Sequence, residues 1–417
     1  MDTRDRRRDG QLRVAVTGIG LRSPAGRTVK EAAAALLAAE CTASERPNLV
    51  AAGTPVRFGC AVEGLDDEEI FTPVERRRLD RLSKLALASA ADAVRQSDVD
   101  LPGLQGRSGV FVGTGIGGLA WFEQAVERWG HTLHLIPPYS VLRVMNSSPA
   151  SVISSRLGSQ GLSMTFTTAC ASGASAIGEA AHRIRRGELD VVVAGGVDAP
   201  LSPLVMAAFG AMRALSRRND APHEACRPFD DDRDGFVMAE GATFLVLERW
   251  DRAVARGVPV LGEMLGYGST TDVSDPVAPS ADGVPAADSI RLALDDARVS
   301  PGDIGHVSAH GTSTVLNDRT EAIALASVFG GACPPVTAPK GVVGHMIGGA
   351  GAFEAAMGLV CAEDGLVPPV ANFRSGRDAE AIDVVHGDAR HIAPGPVLST
   401  SFGFGGQNTC LVLSPAA

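Results

Sequence analysis

Short runs rich in valine and isoleucine alternate along this chain with alanine-rich amphipathic stretches. This alternation is typical of βα units that build a mostly parallel sheet, so the sequence predicts an α/β fold. In the first part of the chain the predicted strands cover 13–19, 109–114, 163–169 and 190–196, and the predicted helices cover 81–95 and 171–186.

The same pattern starts again near residue 255. Here the predicted strands cover 259–267, 304–309 and 335–338, and the predicted helices cover 284–297, 318–329 and 347–361. We therefore predict two similar halves, 11–255 and 256–417, after a disordered tail at 1–10. The Pro/Gly/Asp-rich piece 272–284 is predicted to be a surface loop.

Size and charge limit what the protein can do. With 417 residues and 45% hydrophobic content, the chain can bury a substantial core. A formal net charge of −10 argues against general affinity for nucleic acid. No apolar run reaches the roughly 18 residues of a membrane span, and no apolar stretch follows the basic opening, so we predict a cytoplasmic protein without a membrane segment. Seven cysteines without a CxxC pair indicate neither a disulfide framework nor a zinc knuckle.

One of these cysteines, Cys170, lies in the segment TTACASGASAIG, residues 167–178. It stands between a predicted strand and a predicted helix, where the positive end of the helix dipole is expected to lower the pKa of the thiol. The very small neighbours leave room for an acyl group beside the sulfur. The residues by themselves leave open a reactive thiol or a buried structural cysteine.

Two histidines follow predicted strands in glycine-rich turns. His310 lies in SAHGTSTVLND and His345 in PKGVVGHMIGGAGAFEAA. Their similar settings suggest that both face one pocket with Cys170, although single histidines are more often structural. Lys340 and Glu354 flank His345 and are expected either to hold its loop or to form an ordinary surface pair.

The turn SFGFGG near the C-terminus offers a backbone N–H at Phe404. With the N–H of Cys170, this group is predicted to form an oxyanion hole. A GFGG turn is weak evidence when it is taken alone.

Several ordered motifs together closely resemble the β-ketoacyl-acyl-carrier-protein synthases, especially the synthase II branch. The resemblance runs over nearly the whole chain, through AVTGIGLRSPAG, GTGIGGL, TACASG, RPFDDDRDGFVMAEGA, AHGTSTVLNDRTEA, KGVVGHMIGGAGAFEA and SFGFGG. It implies a thiolase-like fold, in which two pseudo-repeated βαβαβ halves form an αβαβα layered core. It also implies decarboxylative condensation of an acyl thioester with malonyl carrier protein, in fatty-acid or type II polyketide chain elongation.

The resemblance also assigns roles to individual residues. Cys170 becomes the nucleophile, His310 and His345 act on the malonyl thioester, and Lys340 and Glu354 support them. The remaining assignments are Phe404 as gate and oxyanion donor, Thr312 and Thr314 as contacts of the phosphopantetheine arm, Ile116 as part of the acyl pocket, and Phe402 as a substrate-binding residue.

The family also implies partners. Acyl carrier proteins are acidic, so a docking surface should be basic, and two clusters qualify: Arg76, Arg77 and Arg78, and Arg213, Arg217 and Arg218. Such charge runs are equally often solvated helix faces. No metal or bound cofactor is expected, because phosphopantetheine arrives on the carrier. A homodimer, or a heterodimer with a chain-length-factor-like subunit, is expected.

Three positions depart from the family pattern, namely Gln407, Thr400 and Ala239. They leave the substrate open and fit a specialised polyketide ketosynthase that needs a chain-length-factor partner. A chain-length factor itself is disfavoured because Cys170 is present. A thiolase is disfavoured because Cys410 is not set in the thiolase motif, and an initiating synthase is disfavoured by His345. A non-catalytic scaffold that binds acyl carriers remains an alternative if the histidines do not meet Cys170.

Overall fold

The computed structural model describes residues 7, 10–67 and 69–416. Most of the predicted tail at 1–10 lies outside the described residues. In the first half the strands are β1 (Val14–Arg22), β2 (Ser44–Glu45), β3 (Phe58–Gly59), β4 (Ser108–Gly113), β5 (Leu162–Phe166), β6 (Val191–Asp198) and β7 (Gly241–Arg249). The helices are α1 (Val29–Ala38), α2 (Pro47–Ala51), α3 (Pro73–Arg78), α4 (Arg81–Ser97), α5 (Leu119–Trp129), α6 (Ser140–Val144), α7 (Ser148–Leu157), α8 (Ser172–Arg185), α9 (Pro203–Ala211) and α10 (Trp250–Arg256).

The second half repeats the arrangement with fewer helices. Its strands are β8 (Gly262–Thr271), β9 (His306–Ser308), β10 (Pro335–Thr337), β11 (Leu366–Val367), β12 (Asp383–Val384), β13 (Arg390–His391), β14 (Val397–Gly403) and β15 (Gln407–Pro415). Its helices are α11 (Val284–Ala297), α12 (Val315–Phe329), α13 (Lys340–Val343) and α14 (Ala350–Asp364).

The two halves share one strand order. In the first half the order is β5-β4-β6-β7-β1, and in the second it is β10-β9-β14-β15-β8, with β12 added at the edge. Strand directions match as well, since the first three strands of each order are parallel and the last two pairings are antiparallel. The predicted α/β fold with repeated halves is therefore confirmed.

The expectation of a mostly parallel sheet was wrong. Each half is mixed because β7 runs antiparallel to β6 and β1, and β15 runs antiparallel to β14 and β8. Neither strand was among those predicted from the sequence. A buried antiparallel strand has the same apolar composition as a buried parallel one, so composition does not give its direction.

Helices lie in three layers around the two half-sheets. Helices α8 and α14 pack between them, because each contacts strands of both halves. Helix α4 covers the outer face of the first half-sheet, and α11 with α12 covers the outer face of the second. The half-sheets meet at one edge through a short antiparallel pairing of β1 with β8, Ala15 opposite Glu263 and Val16 opposite Gly262.

The two central helices are built from small residues because they are enclosed on all sides. Helix α8 reads SGASAIGEAAHRIR and α14 reads AGAFEAAMGLVCAED, and most of their residues are buried. A Cβ at Gly178 would lie only 2.4 Å from the Tyr267 ring of β8. Larger side chains at such positions would overpack the layer, at a typical cost of ~1–3 kcal/mol. Across the described part of the chain, no helix is both long and apolar enough to cross a membrane.

Candidate active site

Cys170 lies between the end of strand β5 and the start of the central helix α8. The chain turns through a short 3-10 helix, Ala169–Ala171, before α8 begins at Ser172. Ala169 has a φ of 48°, a left-handed conformation that is unfavourable for a residue with a Cβ. This sharp turn places the thiol at the bottom of a cavity, where its residue is only 3% exposed.

Both predicted histidines reach the thiol. His345 Nε2 lies 3.1 Å from Cys170 Sγ, within hydrogen-bonding distance. The His310 ring stands nearly perpendicular to the His345 ring, with 5.4 Å between the ring centroids. The structure therefore brings together three residues that are far apart in the sequence, and the arrangement required by the scaffold alternative is absent.

Lys340 fixes the orientation of His310. Its Nζ lies 3.1 Å from His310 Nδ1 and 2.6 Å from the His310 carbonyl oxygen, and it forms a buried ion pair with Glu354. An ammonium group only donates, so Nδ1 of His310 must accept. The ring proton of neutral His310 is therefore on Nε2. Lys340 and Glu354 act on the site through this contact, and the predicted surface pair is instead buried.

Burial controls the protonation of the site. It lowers the pKa of both His310 and His345 well below the usual histidine range, and the positive charge of Lys340 lowers both further. Both rings are therefore neutral at neutral pH. Burial also raises the pKa of Glu354 to about 7, against the opposing effect of Lys340.

The expected lowering of the Cys170 pKa was wrong. Burial raises the pKa of this thiol to about 12, because the enclosed sulfur loses the water that would solvate a thiolate. The charge of Lys340 and a hydrogen bond from the Phe404 backbone oppose the shift without cancelling it. The resting group is therefore a thiol that must pass its proton to a base, and His345 Nε2 is close enough to accept it.

A cavity of about 240 Å³ opens onto Cys170 and the two histidines. Thr312, Thr314, Phe402 and Phe404 all line it, and their roles as substrate contacts and gate stay predictions. The Phe404 backbone N–H makes a hydrogen bond to the Cys170 sulfur, and its part in an oxyanion hole stays a prediction. The loop predicted at 272–284 is more than surface, because Asp272 and neighbouring residues line the cavity.

Ile116 is placed differently. It is absent from the residues that line this cavity within the described chain, and its side chain packs half-buried against the apolar cluster that contains Phe236. Its backbone N–H donates to the carboxylate of Asp198 over 3.0 Å.

Two acidic residues that hold the site loops were not among the residues predicted from the sequence. Glu321, fully buried on α12, accepts hydrogen bonds from the backbone N–H groups of His310 (2.9 Å) and Gly311 (2.8 Å). Asp198, at the end of β6, accepts from the backbone N–H groups of four residues and from the Thr114 hydroxyl; the four are Gly115, Ile116, Gly117 and Gly348. Acidic residues inside otherwise apolar segments were the signal that could have revealed both.

Two of the three departures from the family pattern have structural partners. Thr400 donates to Glu321 over 2.7 Å and accepts from the His310 N–H over 3.0 Å, so it completes the support of that loop. Ala239 donates its backbone N–H to the His345 carbonyl oxygen over 2.9 Å. Gln407 lies at the first position of β15, opposite Gly403, and nothing in the structure explains its identity.

The predicted docking arginines divide into two groups. Arg213 lines the cavity and is exposed, Arg217 is exposed, and Arg218 forms an ion pair with Asp234 over 3.5 Å. Arg76, Arg77 and Arg78 occupy the exposed helix α3 and do not line the cavity that the described residues form.

The same three central residues are close enough together that they could hold a metal ion. The ligand atoms of Cys170, His310 and His345 all lie within 4.8 Å of one another. The expectation that the protein needs no metal or bound cofactor stays a prediction.

Comparison with protein families places this site. The model of the β-ketoacyl synthase N-terminal domain matches residues 11–253, and the model of the C-terminal domain matches residues 261–374. The chain belongs to the β-ketoacyl synthase family. This synthase is therefore a condensing acyltransferase, and the predicted resemblance is confirmed.

Individual relatives cover nearly the whole synthase. It is 36% identical over 408 residues to 3-oxoacyl-[acyl-carrier-protein] synthase 2 of Vibrio cholerae. That alignment covers 96% of this chain and 98% of the relative. Among solved structures it resembles the ishigamide ketosynthase/chain length factor, with 33% identity, a TM-score of 0.89 and coverage of 98% of this chain and 100% of that one. A type II polyketide ketosynthase solved with its acyl-carrier protein gives 29% identity, a TM-score of 0.89 and coverage of 97% and 100%.

Proposed function

We propose that this synthase elongates acyl chains by decarboxylative condensation. An acyl group is carried on Cys170, and malonyl-acyl-carrier-protein extends it to a 3-oxoacyl-acyl-carrier-protein. The observation that carries the proposal is the single cavity in which the Cys170 sulfur lies 3.1 Å from His345, with His310 beside it and the Phe404 amide directed at the sulfur.

The first half-reaction moves the acyl group from a carrier to the enzyme. Cys170 Sγ attacks the thioester carbonyl, and its proton passes to His345 Nε2 and then to the departing carrier thiol. The carbonyl oxygen gains negative charge as the bond forms. The backbone N–H groups of Cys170 and Phe404 are proposed to stabilise it, because donors aimed at developing charge lower the barrier most.

The second half-reaction uses the neutral imidazoles as donors. Nε2–H of His310, fixed by Lys340 at Nδ1, donates to the malonyl thioester oxygen while carbon dioxide leaves, and His345 donates in the tautomer that carries its proton on Nε2, the opposite of the one that accepts the Cys170 proton. The resulting enolate carbon attacks the acyl group on Cys170, and the Cys170 sulfur leaves as the new carbon–carbon bond forms. Each neutral imidazole carries one N–H, so each can donate one hydrogen bond to the oxygen on which negative charge develops.

The malonyl group is proposed to arrive on the phosphopantetheine arm of an acidic acyl carrier protein. Thr312 and Thr314 line the cavity with their hydroxyl groups 2.9 Å apart, so they offer polar contacts along the path to Cys170. Arg213 at the cavity and the exposed Arg217 supply the positive charge that an acidic carrier would meet. The synthase itself then needs no bound cofactor, and we propose a cytoplasmic location.

A second subunit of the same fold is proposed to pair with β5. This strand ends the large sheet and has no neighbour on its outer side within the described chain. The nearby segment 133–145 exposes an unusual number of large apolar side chains, including Leu133 at 67% and Val141 at 70% exposure. The mass of the purified assembly distinguishes a homodimer from a chain that needs a chain-length-factor-like partner.

Intact mass after incubation with a panel of acyl-carrier thioesters tests the proposal. We expect the synthase to gain the mass of the acyl group and Cys170→Ala to gain none, with condensation by the variant reduced at least ~1,000-fold. Loading by ordinary saturated chains would support fatty-acid elongation. Loading by unusual chains, or with an added chain-length-factor-like partner, would assign the synthase to a specialised polyketide pathway. Undiminished elongation by Cys170→Ala would remove the nucleophile assignment.

A further inference from the structure

Three cysteines that the condensation does not use lie together behind the active-site turn. Cys60 and Cys226 belong to one buried apolar cluster, and the half-buried Cys41 packs against it. A hydrogen bond joins the side chains of Cys41 and Cys60, and the backbone N–H of Cys226 donates to Cys41. Thiols in contact are uncommon among free cysteines, so this cluster calls for a chemical explanation.

The three thiols are unequal in reactivity. The hydrogen bond from Cys60 and the backbone N–H groups of Ala43 and Cys226 lower the pKa of Cys41 despite its partial burial. Burial raises the pKa of Cys60 and Cys226 well above the usual range. Cys41 is half-buried, whereas Cys60 and Cys226 are fully buried, so peroxide reaches Cys41 first. Because a thiolate is also the form that attacks peroxide, Cys41 is the residue that reacts first, and Cys60 is the thiol beside it.

Each of the three residues borders the turn that carries Lys340 and His345. Cys226 Sγ donates to the Lys340 carbonyl oxygen over 2.9 Å. The Cys60 sulfur packs so closely on Gly344 that a Cβ there would lie 2.9 Å from it. Next to Cys41, Thr42 donates both its backbone N–H and its hydroxyl to the Val342 carbonyl oxygen, each over 2.9 Å.

The backbone links Cys60 to His345 as well. Cys60 donates its N–H to the Met238 carbonyl oxygen over 2.9 Å, and the adjacent Ala239 donates to the His345 carbonyl oxygen over 2.9 Å. His345 in turn donates its N–H to Val237 over 2.7 Å. These bonds tie the segment that holds Cys60 directly to the backbone of the histidine that contacts Cys170.

We propose that Cys41 and Cys60 form a peroxide-oxidisable thiol pair, whose disulfide displaces the His345 turn and slows condensation. The Cys41 thiolate attacks hydrogen peroxide, so an S–O bond forms, the O–O bond breaks and hydroxide leaves, which becomes water by taking up the proton that the Cys41 thiol released on ionising. The Cys60 thiol then attacks the sulfenic sulfur, the S–S bond forms and a second water leaves with the Cys60 proton. Two thiols are oxidised and one peroxide is reduced.

The disulfide changes the site because of its length. A disulfide holds its sulfurs at ~2.0 Å, much closer than a hydrogen bond between thiols. Cys60 is fixed through its own backbone to Met238 and Glu240, so its sulfur cannot move without disturbing Gly344 and His345. Formation of the disulfide does not depend on which reaction the synthase catalyses, whereas its effect on the rate of condensation rests on the proposed function.

The disulfide is tested in the Cys170→Ala variant, which removes oxidation of the nucleophile. After treatment with hydrogen peroxide and trapping of free thiols, we expect intact mass to show loss of two hydrogens and peptide mapping to join Cys41 to Cys60. Adding Cys41→Ser should abolish this disulfide. A disulfide between Cys41 and Cys226, or over-oxidation of Cys41 without any disulfide, would overturn the pairing.

The effect on rate is tested with Cys170 intact. We expect peroxide to reduce condensation at least ~5-fold, dithiothreitol to restore it, and Cys41→Ser to keep its full rate under the same treatment. Equal loss in both proteins would assign the sensitivity to Cys170 and overturn the regulatory role, as would a mapped disulfide that leaves the rate unchanged. If the reduced synthase shows no condensation, the proposed function fails while the disulfide result stands.

Discussion

The two central helices, α8 and α14, are preceded by the same kind of backbone turn, but the two turns have different roles. A 3-10 turn, Ala169–Ala171, precedes α8, and a 3-10 turn, Ile347–Gly349, precedes α14. Each turn starts with a non-glycine residue in the left-handed region, with φ of 48° at Ala169 and 46° at Ile347. The next position is Cys170 in the first half and Gly348 in the second.

This single difference separates a reactive turn from an anchoring one. Cys170 directs its side chain into the cavity beside His345. Gly348 has no side chain, and its backbone N–H donates to the buried Asp198 carboxylate over 2.7 Å. Asp198 also holds the loop at 115–117, so the second turn fixes the framework against which the first presents its thiol. A repeated fold can thus keep one backbone device and divide chemistry and support between its copies.

The strongest way to break the comparison is to give the anchoring turn a side chain. In Gly348→Ala the new Cβ would lie 2.5 Å from the Gly115 nitrogen and 2.7 Å from Asp198 Oδ2. Overpacking and a weakened hydrogen bond to a carboxylate together should lower the free energy of unfolding by about 4 kcal/mol. Urea denaturation measures it.

Gly210→Ala is the matched control, because a Cβ there meets nothing within 4 Å and the residue lies in helix α9. We expect this variant to be unchanged or more stable by up to ~1 kcal/mol. Similar unfolding curves for the two variants would show that the turn at Gly348 is not tightly held.

Strands β4 and β9 occupy equivalent places in the two half-sheets, and their first residues also differ in role. Ser108 opens β4 and His306 opens β9, each opposite the first residue of the neighbouring strand. The Ser108 hydroxyl lies 2.9 Å from that of Ser159, whereas neither ring nitrogen of His306 has a hydrogen-bond partner among the described residues. Burial lowers the pKa of His306 to about 4.

This contrast predicts a pH dependence of stability in the second half. The folded-state pKa of His306 is depressed from 6.5, so at lower pH the unfolded chain takes up the proton first and is favoured. The contribution of neutral His306 to the free energy of unfolding is therefore fully present above pH 6.5. It decreases by about 3 kcal/mol as the pH falls from 6.5 to about 4. His306→Leu should lack this component. The difference between the two proteins in urea unfolding at several pH values measures it, and parallel curves would contradict it.

Much of the fold could be predicted from the sequence because buried strands and amphipathic helices follow local patterns. Cys170, His310 and His345 could be selected because each joins a reactive side chain to a glycine-rich strand end. The pairing directions of β7 and β15 could not be predicted, since a buried antiparallel strand has the same apolar composition as a buried parallel one.

The electrostatics of the site was the least predictable part. A helix N-terminus was visible around Cys170, but its burial arises from segments as distant as Phe404 and His345. Thr400 was noticed only as a departure, because its contact with Glu321 requires β14 to lie beside β9. Effects that depend on which distant elements meet are not present in any local stretch of sequence.

The smallest expected effect concerns the strain in the reactive turn itself. Ala169 holds a φ of 48°, which costs a residue with a Cβ roughly 1–2 kcal/mol relative to the usual regions. Glycine has no such penalty, although it gains entropy in the unfolded chain. We therefore expect Ala169→Gly to raise the free energy of unfolding by up to about 1 kcal/mol and to keep acylation of Cys170.

Ala171 is the matched control, because it lies in the same turn with an ordinary φ of −87°. Ala171→Gly should therefore lower the free energy of unfolding by about 1 kcal/mol or more. If the two variants change the free energy of unfolding in opposite directions in urea denaturation, the strain lies at Ala169. If both change it in the same direction, Ala169 is not strained, despite its left-handed φ.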